Sequence, residues 1–542
     1  MNYLLWLWRN SNGVRLNMFW RILAGFGQVV FGLWMVWLSR RFIDVTIRTG
    51  GKDDIFWACV ELVLCLLSAV ALRQAAAYHT VSAQIKLSNK LRQKYFNLLL
   101  RRRLYQDKWH SGDFTARLER DLSVVCDLLV RMVPQSVVTA AQLLGAFLLM
   151  WSMESRLAWA LLLFTPIVVG CGKLFARNLR RMTLDIREYD TRIQMLVQEG
   201  MEHNAVLRSI DTQGTFGHRL GYLQEHLRKK VNRRAQFSLV SQTLLSITFG
   251  LGYLAAFVWG GLQLRSGVIT FGIMTSFLQL VSQIQHPVVN LMGLFTGSIH
   301  ASASIDRLNE LDRLEVETES SLTEKLSLSS LYGVECRGIS FRYKQEDHAV
   351  LHNFSHFFKP GSKTAIIGRT GTGKTTLFRL LLSLIEPQAG ELYLYNDEVR
   401  VPISTATRTH FVFVPQGNTL LSGTIRENLL LANPQASDEE LSRVLHISMA
   451  DFVFSLPEGL DTRCGERGGG LSEGQAQRIA IARGLLRPGS VLLLDEISSS
   501  LDEETEHQLL QRLSEACPDK TILFITHRPA VAMLCDESLS IC

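Results

Sequence analysis

The stretch Gly368-Arg369-Thr370-Gly371-Thr372-Gly373-Lys374-Thr375 follows the pattern G-x-x-x-x-G-K-[ST], and its reading decides the fold of the sequence around it. Glycines let backbone N–H groups converge on phosphate oxygens. A helix expected over Thr376 to Leu384 turns its positive N-terminal end toward the same charge. Lys374 would then reach the β- and γ-phosphates of a nucleotide, and the Thr375 hydroxyl would ligate Mg2+. A glycine-rich turn that binds nothing would not require the surrounding grammar. Here the apolar run Thr364 to Ile367 reads as a buried strand entering the loop, and an apolar helix leaves it.

A chain of 542 residues has room for roughly two to four domains, so a phosphate-loop domain of about 200 residues leaves most of it to be explained. Hydrophobic content of 47% and a mean hydropathy of +0.12 point to membrane spans. The nine cysteines form no C-x-x-C pair, which indicates neither zinc nor a disulfide framework. A net charge of +7 could suggest nucleic acid, but its placement in loops between spans argues for basic cytoplasmic segments and no nucleic-acid partner.

Met1 to Trp8 is apolar and too short to span, and it reads as an interfacial elbow helix. Six spans are expected near Met18 to Leu38, Ile55 to His79, Val130 to Trp151, Leu157 to Leu174, Phe237 to Leu264 and Val268 to Leu294. The connections between spans 2 and 3 and between spans 4 and 5 are long, helical in pattern and basic, so they belong in the cytoplasm with both chain ends. Arg40, Arg41, Arg48 and Lys52, on the outer loop after span 1, pull the other way. Each long connection has a break suited to a turn, at Ser111-Gly112-Asp113 and around Glu199-Gly200-Met201-Glu202. Short helices near Ser111 to Phe114 and Gly200 to Asn204 would sit there. Phe31, Trp34 and Trp37 share a helical face that suits lipid better than cargo. Gln142, Gln242, Gln279, Gln283 and His286 suit either a cavity or helix-to-helix bridges.

The grammar changes after a polar linker. The expected division is a membrane domain over 1–310, a linker over 311–332 and a nucleotide-binding domain over 333–542. Within the last, Val491-Leu-Leu-Leu-Asp495-Glu496 is a buried strand ending in two carboxylates. Asp495 would hold Mg2+ through water and Glu496 would act as general base on an attacking water. Thr521 to Ile525 is a second such strand, followed by Thr526-His527. Leu471-Ser472-Glu473-Gly474-Gln475 opens a helix, Ser499-Ser500-Leu501-Asp502 follows the carboxylates, and Phe341-Arg342-Tyr343-Lys344 and Val414-Pro415-Gln416-Gly417 complete the series.

Taken in chain order, the strings resemble those of ABC transporters of the exporter type. The resemblance covers nearly the whole chain and implies a half-transporter: a membrane α-helical bundle of six spans, type IV exporter-like, fused to an α/β phosphate-loop NTPase domain of ABC type. It implies ATP and Mg2+ as cofactors. The loop from Gly368, Arg369, Thr370, Gly371, Thr372 and Gly373 through Lys374, Thr375 and Thr376 would hold ATP, and Tyr343 would stack on adenine. Gln416 would be the Q-loop glutamine, serving both metal and catalysis beside Asp495 and Glu496, and His527 would contact the γ-phosphate and the water held by Glu496. Leu471, Ser472, Glu473, Gly474 and Gln475 resemble the signature LSGGQ, whose helix acts on ATP held by the other subunit, and Ser499 to Asp502 would be the D-loop, with Asp502 at the nucleotide.

A homodimer, or a heterodimer with a second half-transporter, is therefore implied, embedded in membrane lipids of the cell (inner) membrane with the nucleotide-binding domain in the cytoplasm. The implied activity is ATP hydrolysis driving efflux of an amphipathic small molecule, lipid or peptide by alternating access. An ATP-gated receptor or channel, or a non-pumping half of a heterodimer, is the alternative. A soluble phosphate-loop ATPase would lack the six spans. Two departures stand out: Glu473 replaces a glycine of the signature, and the sequence runs 15 residues past His527 where relatives continue through a further hairpin and helix, so an abbreviated domain edge is expected.

Overall fold

The computed structural model describes residues 3–103, 114–115, 117–153, 155–317, 326–328, 330–343, 348–369, 371–465, 470–497 and 501–541. They form two units, 1–97 with 111–313, and 98–110 with 314–542.

The first unit is helical: α1 (Tyr3–Asn10), α2 (Arg15–Arg41), α3 (Lys52–Leu100), α4 (Val133–Met153), α5 (Ser155–Glu202), α6 (Asn204–Ser209), α7 (Gln213–Arg265) and α8 (Phe271–Asp312). The 49 residues of α3 and 53 of α7 give lengths more than twice a hydrocarbon layer of roughly 30 Å, so these helices continue beyond it as expected. Among the described residues, the stretches Arg15–Thr49, Lys52–Leu100, Arg117–Met153 and Gln213–Arg265 are long and apolar enough to cross a membrane, and Phe271–Ile284 is a shorter apolar segment. The six expected spans all fall in helices, with two boundary shifts. Helix precedes Val130, with π-helical turns at Arg117–Asp121 and Leu128–Met132. The last helix starts at Phe271 rather than Val268, because Thr270 caps it by accepting from the Ile273 N–H at 3.2 Å.

The second expected break is displaced. Gly200 stays helical, and the chain turns instead at His203 and again around Asp211, whose φ is +51°, leaving the short helix α6 between them. A glycine inside a long helix costs only about 1 kcal/mol. An added Cβ at Gly200 would lie 3.4 Å from the Phe216 ring, an ordinary van der Waals contact, so packing does not demand a glycine there. The first expected break, at 111–113, lies outside the described residues.

The membrane-type helices meet through small residues and polar bridges, which replace the hydrophobic drive that lipid does not supply. A Cβ on Gly145 of α4 would come within 2.5 Å of Leu33 Cδ1 of α2. Gln142 Nε2 donates to the Gln283 carbonyl at 3.4 Å and Gln283 Nε2 to the Gly32 carbonyl at 3.5 Å, so these two glutamines bridge helices. Trp34 and Trp37 lie exposed on the outside of α2. Asp121, buried, accepts from Ser304 Oγ at 2.9 Å and from Arg307 Nε at 2.8 Å, tying the helical segment before α4 to α8.

In the second unit, an antiparallel sheet in the order β2-β1-β4-β5 joins β1 (Gly333–Phe341), β2 (Leu351–Phe358), β4 (Ala389–Tyr395) and β5 (Arg400–Pro402). A parallel sheet in the order β11-β3-β10-β9-β6 joins β3 (Lys363–Ile367), β6 (Phe411–Val414), β9 (Val491–Asp495), β10 (Thr521–Ile525) and β11 (Glu537–Ser540). Strands β9 and β10 are buried at every position, which is why they read as unbroken apolar runs. Gly423–Thr424 and Arg463–Cys464 pair as a short ribbon, β7 and β8. Helix α9 (Lys374–Leu381) follows β3. Helices α10 (Ile425–Leu430), α11 (Asp438–Ile447) and α12 (Glu473–Leu485) pack a separate apolar cluster around Ile425, Leu441, Leu445 and Ile479. All three begin with capping boxes, Thr424/Glu427, Ser437/Glu440 and Ser472/Gln475.

Replacing Asp121 by Ala strips Arg307 and Ser304 of a buried acceptor. We expect a loss of about 1–3 kcal/mol, read as a lower unfolding midpoint of the full chain, with Asp121→Asn intermediate.

Candidate nucleotide site

Four strands of the parallel sheet deliver the site from one edge. Strand β3 runs into the phosphate loop, where Gly371 and Gly373 have φ of +89° and +95°. At Gly373 the requirement is double: a Cβ would also lie 2.9 Å from the Val350 carbonyl oxygen. This left-handed residue caps α9, so the helix starts at Lys374, two residues before the expected start. Lys374 is buried, with Nζ donating to the carbonyls of Gly368 at 2.7 Å and Arg369 at 2.9 Å. Thr372 Oγ1 donates to the Arg369 carbonyl at 2.9 Å, which closes the loop on itself. Thr370 lies outside the described residues.

Strand β9 ends at buried Asp495, whose Oδ2 accepts from Thr375 Oγ1 at 3.0 Å. Glu496 then takes φ of +46°, a left-handed conformation that side-chain-bearing residues rarely adopt, held by its N–H on the Ile525 carbonyl at 3.0 Å. Its carboxylate meets two partners. Gln416 Nε2 donates to Oε2 at 2.7 Å, and His527 Nε2 lies 2.9 Å from Oε1. His527 Nε2 is also 3.4 Å from Lys374 Nζ. One ring nitrogen cannot donate to Glu496 and accept from Lys374 at once, so the imidazole tautomer selects between the two. Burial pushes the Lys374 ammonium below its usual range, opposed by Glu496 and Asp495, and pushes the Asp495 carboxyl above its own, opposed by the Thr375 hydrogen bond.

Tyr343 sits beside the loop. Its hydroxyl is 3.2 Å from Thr376 Oγ1 and accepts from Arg379 Nη1 at 3.1 Å, and its ring stands edge-to-face with Phe341. The 471–475 segment forms the start of α12: Ser472 Oγ accepts from the Gln475 N–H at 3.2 Å, and Gln475 Oε1 accepts from the Ser472 N–H at 2.9 Å. Glu473 is the exposed first residue of the helix, where a carboxylate complements the helix dipole. Gly474 gives its carbonyl to Arg478, and Leu471 packs against the helical cluster. Asp502 caps α13 (Glu503–Ala516), accepting from the Thr505 N–H and hydroxyl, both at 2.9 Å. Residues 466–469 and 498–500 lie outside the described part.

Sequence reasoning missed a brace behind His527. The next residue, Arg528, donates from Nη1 to Glu506 Oε2 at 2.7 Å and from Nη2 to the Leu501 carbonyl at 3.1 Å, and Glu506 is buried. Gln477, also buried, donates to the Pro415 carbonyl at 3.2 Å and so ties α12 to the turn carrying Gln416. Glu506 and Gln477 show in the sequence only as polar residues inside helices, with no spacing that marks them.

A bundle of membrane-type helices joined in one chain to a phosphate-loop domain defines a membrane-bound, nucleotide-using protein. Residues 351–499 match the family model described as ABC transporter, and residues 15–288 match that of the ABC transporter transmembrane region. The chain belongs to the ABC transporter family. It is 29% identical over 448 residues to the Mitochondrial potassium channel ATP-binding subunit of Pongo abelii, covering 82% of this chain and 62% of that protein. It is 29% identical over 548 residues to a Multidrug efflux ATP-binding/permease protein of Mycobacterium bovis (strain BCG / Pasteur 1173P2), covering 97% of this chain and 45% of that protein. Against both, the chain spans less than two thirds of the relative's length. A bacterial Atm1-family ABC exporter, solved with ATP bound, superposes with a TM-score of 0.80 at 21% identity, covering 96% of this chain and 93% of that one. The fold is that of a type IV ABC exporter. The ABC domain of this family binds ATP, and in its exporters hydrolysis is coupled to transport.

Because Asp495 is raised in the fold, its protonated form favours the folded state. That contribution is complete below the usual carboxylate range and is lost as pH rises through the raised folded value. Asp495→Asn is therefore expected to raise the unfolding midpoint of the nucleotide-free protein at about pH 7.5 by roughly 2–4 °C, with the gain shrinking toward about pH 4. Thermal unfolding at the two pH values checks it.

Proposed function

We propose that the chain is an ATP-driven exporter that works as a dimer of half-transporters and moves an amphipathic small molecule, lipid or peptide by alternating access. The observation that carries this is the convergence of Lys374, Thr375, Asp495, Glu496, Gln416 and His527 at one edge of the parallel sheet. In this reading 1–310 is the membrane domain, 311–332 the linker and 333–542 the nucleotide-binding domain, which lies in the cytoplasm beneath the inner membrane because the long connections are basic.

Bound MgATP supplies the phosphoryl group whose transfer to water releases free energy. Gly368, Arg369, Thr370, Gly371, Thr372 and Gly373 wrap its phosphates with backbone N–H groups, and Thr376 continues the cradle into α9. The fit is supported by the positive φ of Gly371 and Gly373 and by a Lys374 side chain arched over its own loop. Lys374 exchanges carbonyl partners for phosphate oxygens. Thr375 and Asp495, already in contact, would hold Mg2+, joined by Gln416, which now bonds Glu496. Tyr343, fixed by Thr376 and Arg379, offers its ring to adenine. Glu496 takes the proton of the attacking water, and His527 on Oε1 and Gln416 on Oε2 fix its orientation.

The hydrogen bonds of Ser472, Gly474 and Gln475 close on their own helix start, and Asp502 caps its own helix. This supports their use, with Leu471 and Glu473, on nucleotide held by a second copy or a second half-transporter. The relative named as a potassium channel subunit favours a second reading, an ATP-gated channel or receptor with little turnover.

Purified alone in lipid nanodiscs, the chain is expected to hydrolyse ATP with Mg2+ dependence, and Glu496→Gln to lose about 10²-fold or more while still binding ATP. A folded, ATP-binding sample without turnover would overturn the competent homodimer and favour a heterodimer or the gated reading.

Glu506→Gln weakens the brace behind His527. We expect kcat to fall several-fold, on the order of tenfold, with KM for ATP nearly unchanged, as measured by steady-state ATPase kinetics.

A further inference from the structure

Among the described residues of the helical unit, one buried guanidinium has no carboxylate paired with it. Arg21 of α2, inside the first expected span, is 8% exposed. Its Nε donates to Thr80 Oγ1 of α3 at 2.7 Å, and its Nη2 donates to Gln135 Oε1 of α4 at 3.2 Å. Near it, Asn17 donates to Ser82 Oγ at 3.1 Å, and Gln135 Nε2 donates onward to Thr139 Oγ1 at 3.4 Å. The seam where three helices meet is built of hydroxyls and amides around a guanidinium. Among the described residues, Nη1 of Arg21 makes no hydrogen bond and no carboxylate pairs with it. Asp127 is taken by Arg131 at 2.6 Å, and Arg131 adds to the positive potential at Arg21. His79, next to Thr80 in the chain, has a buried ring Nδ1 with no partner.

A guanidinium mostly buried among neutral groups is costly, and an apolar residue of similar volume would fill the space at lower cost. A charged side chain inside a span therefore calls for a ligand. Anions are what Arg takes, by pairs of parallel N–H bonds to carboxylate or phosphate. Here Nη1 stands open beside Nη2, and Thr80 and Gln135 flank them.

We propose that Arg21 binds the anionic head, carboxylate or phosphate, of an amphiphile lodged between α2, α3 and α4, so that anions are selected among amphiphilic cargo. This deepens the export reading above and rests on it for the word cargo. Two sources could present the head, a transported anion or a resident membrane lipid.

The test uses the full chain in phosphatidylcholine nanodiscs with three probes of equal chain length: dodecanoate, dodecanol and dodecylamine. Binding is followed without ATP by tryptophan fluorescence, and ATPase stimulation is followed separately. Dodecanoate should bind and stimulate, and the neutral and cationic probes should not. Arg21→Gln should weaken dodecanoate binding by about tenfold or more, and Arg21→Lys should restore part of it. If dodecanoate is silent but added phosphatidylglycerol raises wild-type activity in an Arg21-dependent way, the anion site stands and its occupant is a lipid headgroup. Equal responses of the wild type to all three probes, with no effect of phosphatidylglycerol on the wild type, overturn the proposal. The three-probe comparison needs only the wild type, so it decides even if Arg21→Gln does not fold. Arg21-dependent dodecanoate binding in a protein without ATPase activity would sink the export reading and leave the anion site standing.

Discussion

The nucleotide unit depends on one constraint, that parallel strands must end level with one another. In the ladder, Ile525 of β10 stands opposite Ile366 of β3 on one side and Asp495 of β9 on the other, and Val414 of β6 stands opposite Leu494. Each functional group lies within a few residues of that row: the phosphate loop after β3, Gln416 after β6, Glu496 after β9 and His527 after β10. A slip of one residue in any strand would turn its side chains to the other face and break the cluster. The observed ladder register sets these groups side by side at the carboxyl ends of the strands.

The same edge gathers groups that do not suit the folded protein by itself. Asp495 and Lys374 are both disfavoured by burial in their charged forms, and Glu496 sits at a backbone conformation a side chain makes uncomfortable. Their partners, a threonine hydroxyl, loop carbonyls, a glutamine amide and an imidazole, are mostly neutral. In the proposed reading, such a site would be relieved by a divalent cation and a chain of phosphates placed between the acids and the lysine. Binding energy is stored as unmet electrostatic demand, held in place by a rigid sheet.

What could be read in the sequence was whatever is local or periodic. The strand before the phosphate loop, the all-apolar β9 and β10, and helix at all six span positions follow from runs of residues whose pattern needs no distant partner. Start points and turns were less legible. The last long helix begins at Phe271 partly because Asp44, 228 residues away along the chain, accepts from the Gly272 N–H. The break near Gly200 lies at His203 instead, because a lone glycine costs a long helix only about 1 kcal/mol and does not by itself end it. Glu506 and Arg528 escaped notice for a related reason: their meaning lies in a contact across 22 residues, and neither residue is unusual where it stands.

The helical unit answers the same polar-group problem in a drier medium and mostly solves it by pairing neutral groups across helices. Gln142 and Gln283 donate to carbonyls of neighbouring helices, and Asn17 to a serine. Asp121 shows that where a charge is buried its opposite is supplied, in Arg307. Against that rule Arg21 is anomalous, because its surroundings are polar enough to orient a guanidinium and, among the described residues, pair no carboxylate with it. A helix seam that only needed to pack would have used a leucine there. One that must recognise a charged head, and release it, needs an arginine whose partners are weak enough to be displaced.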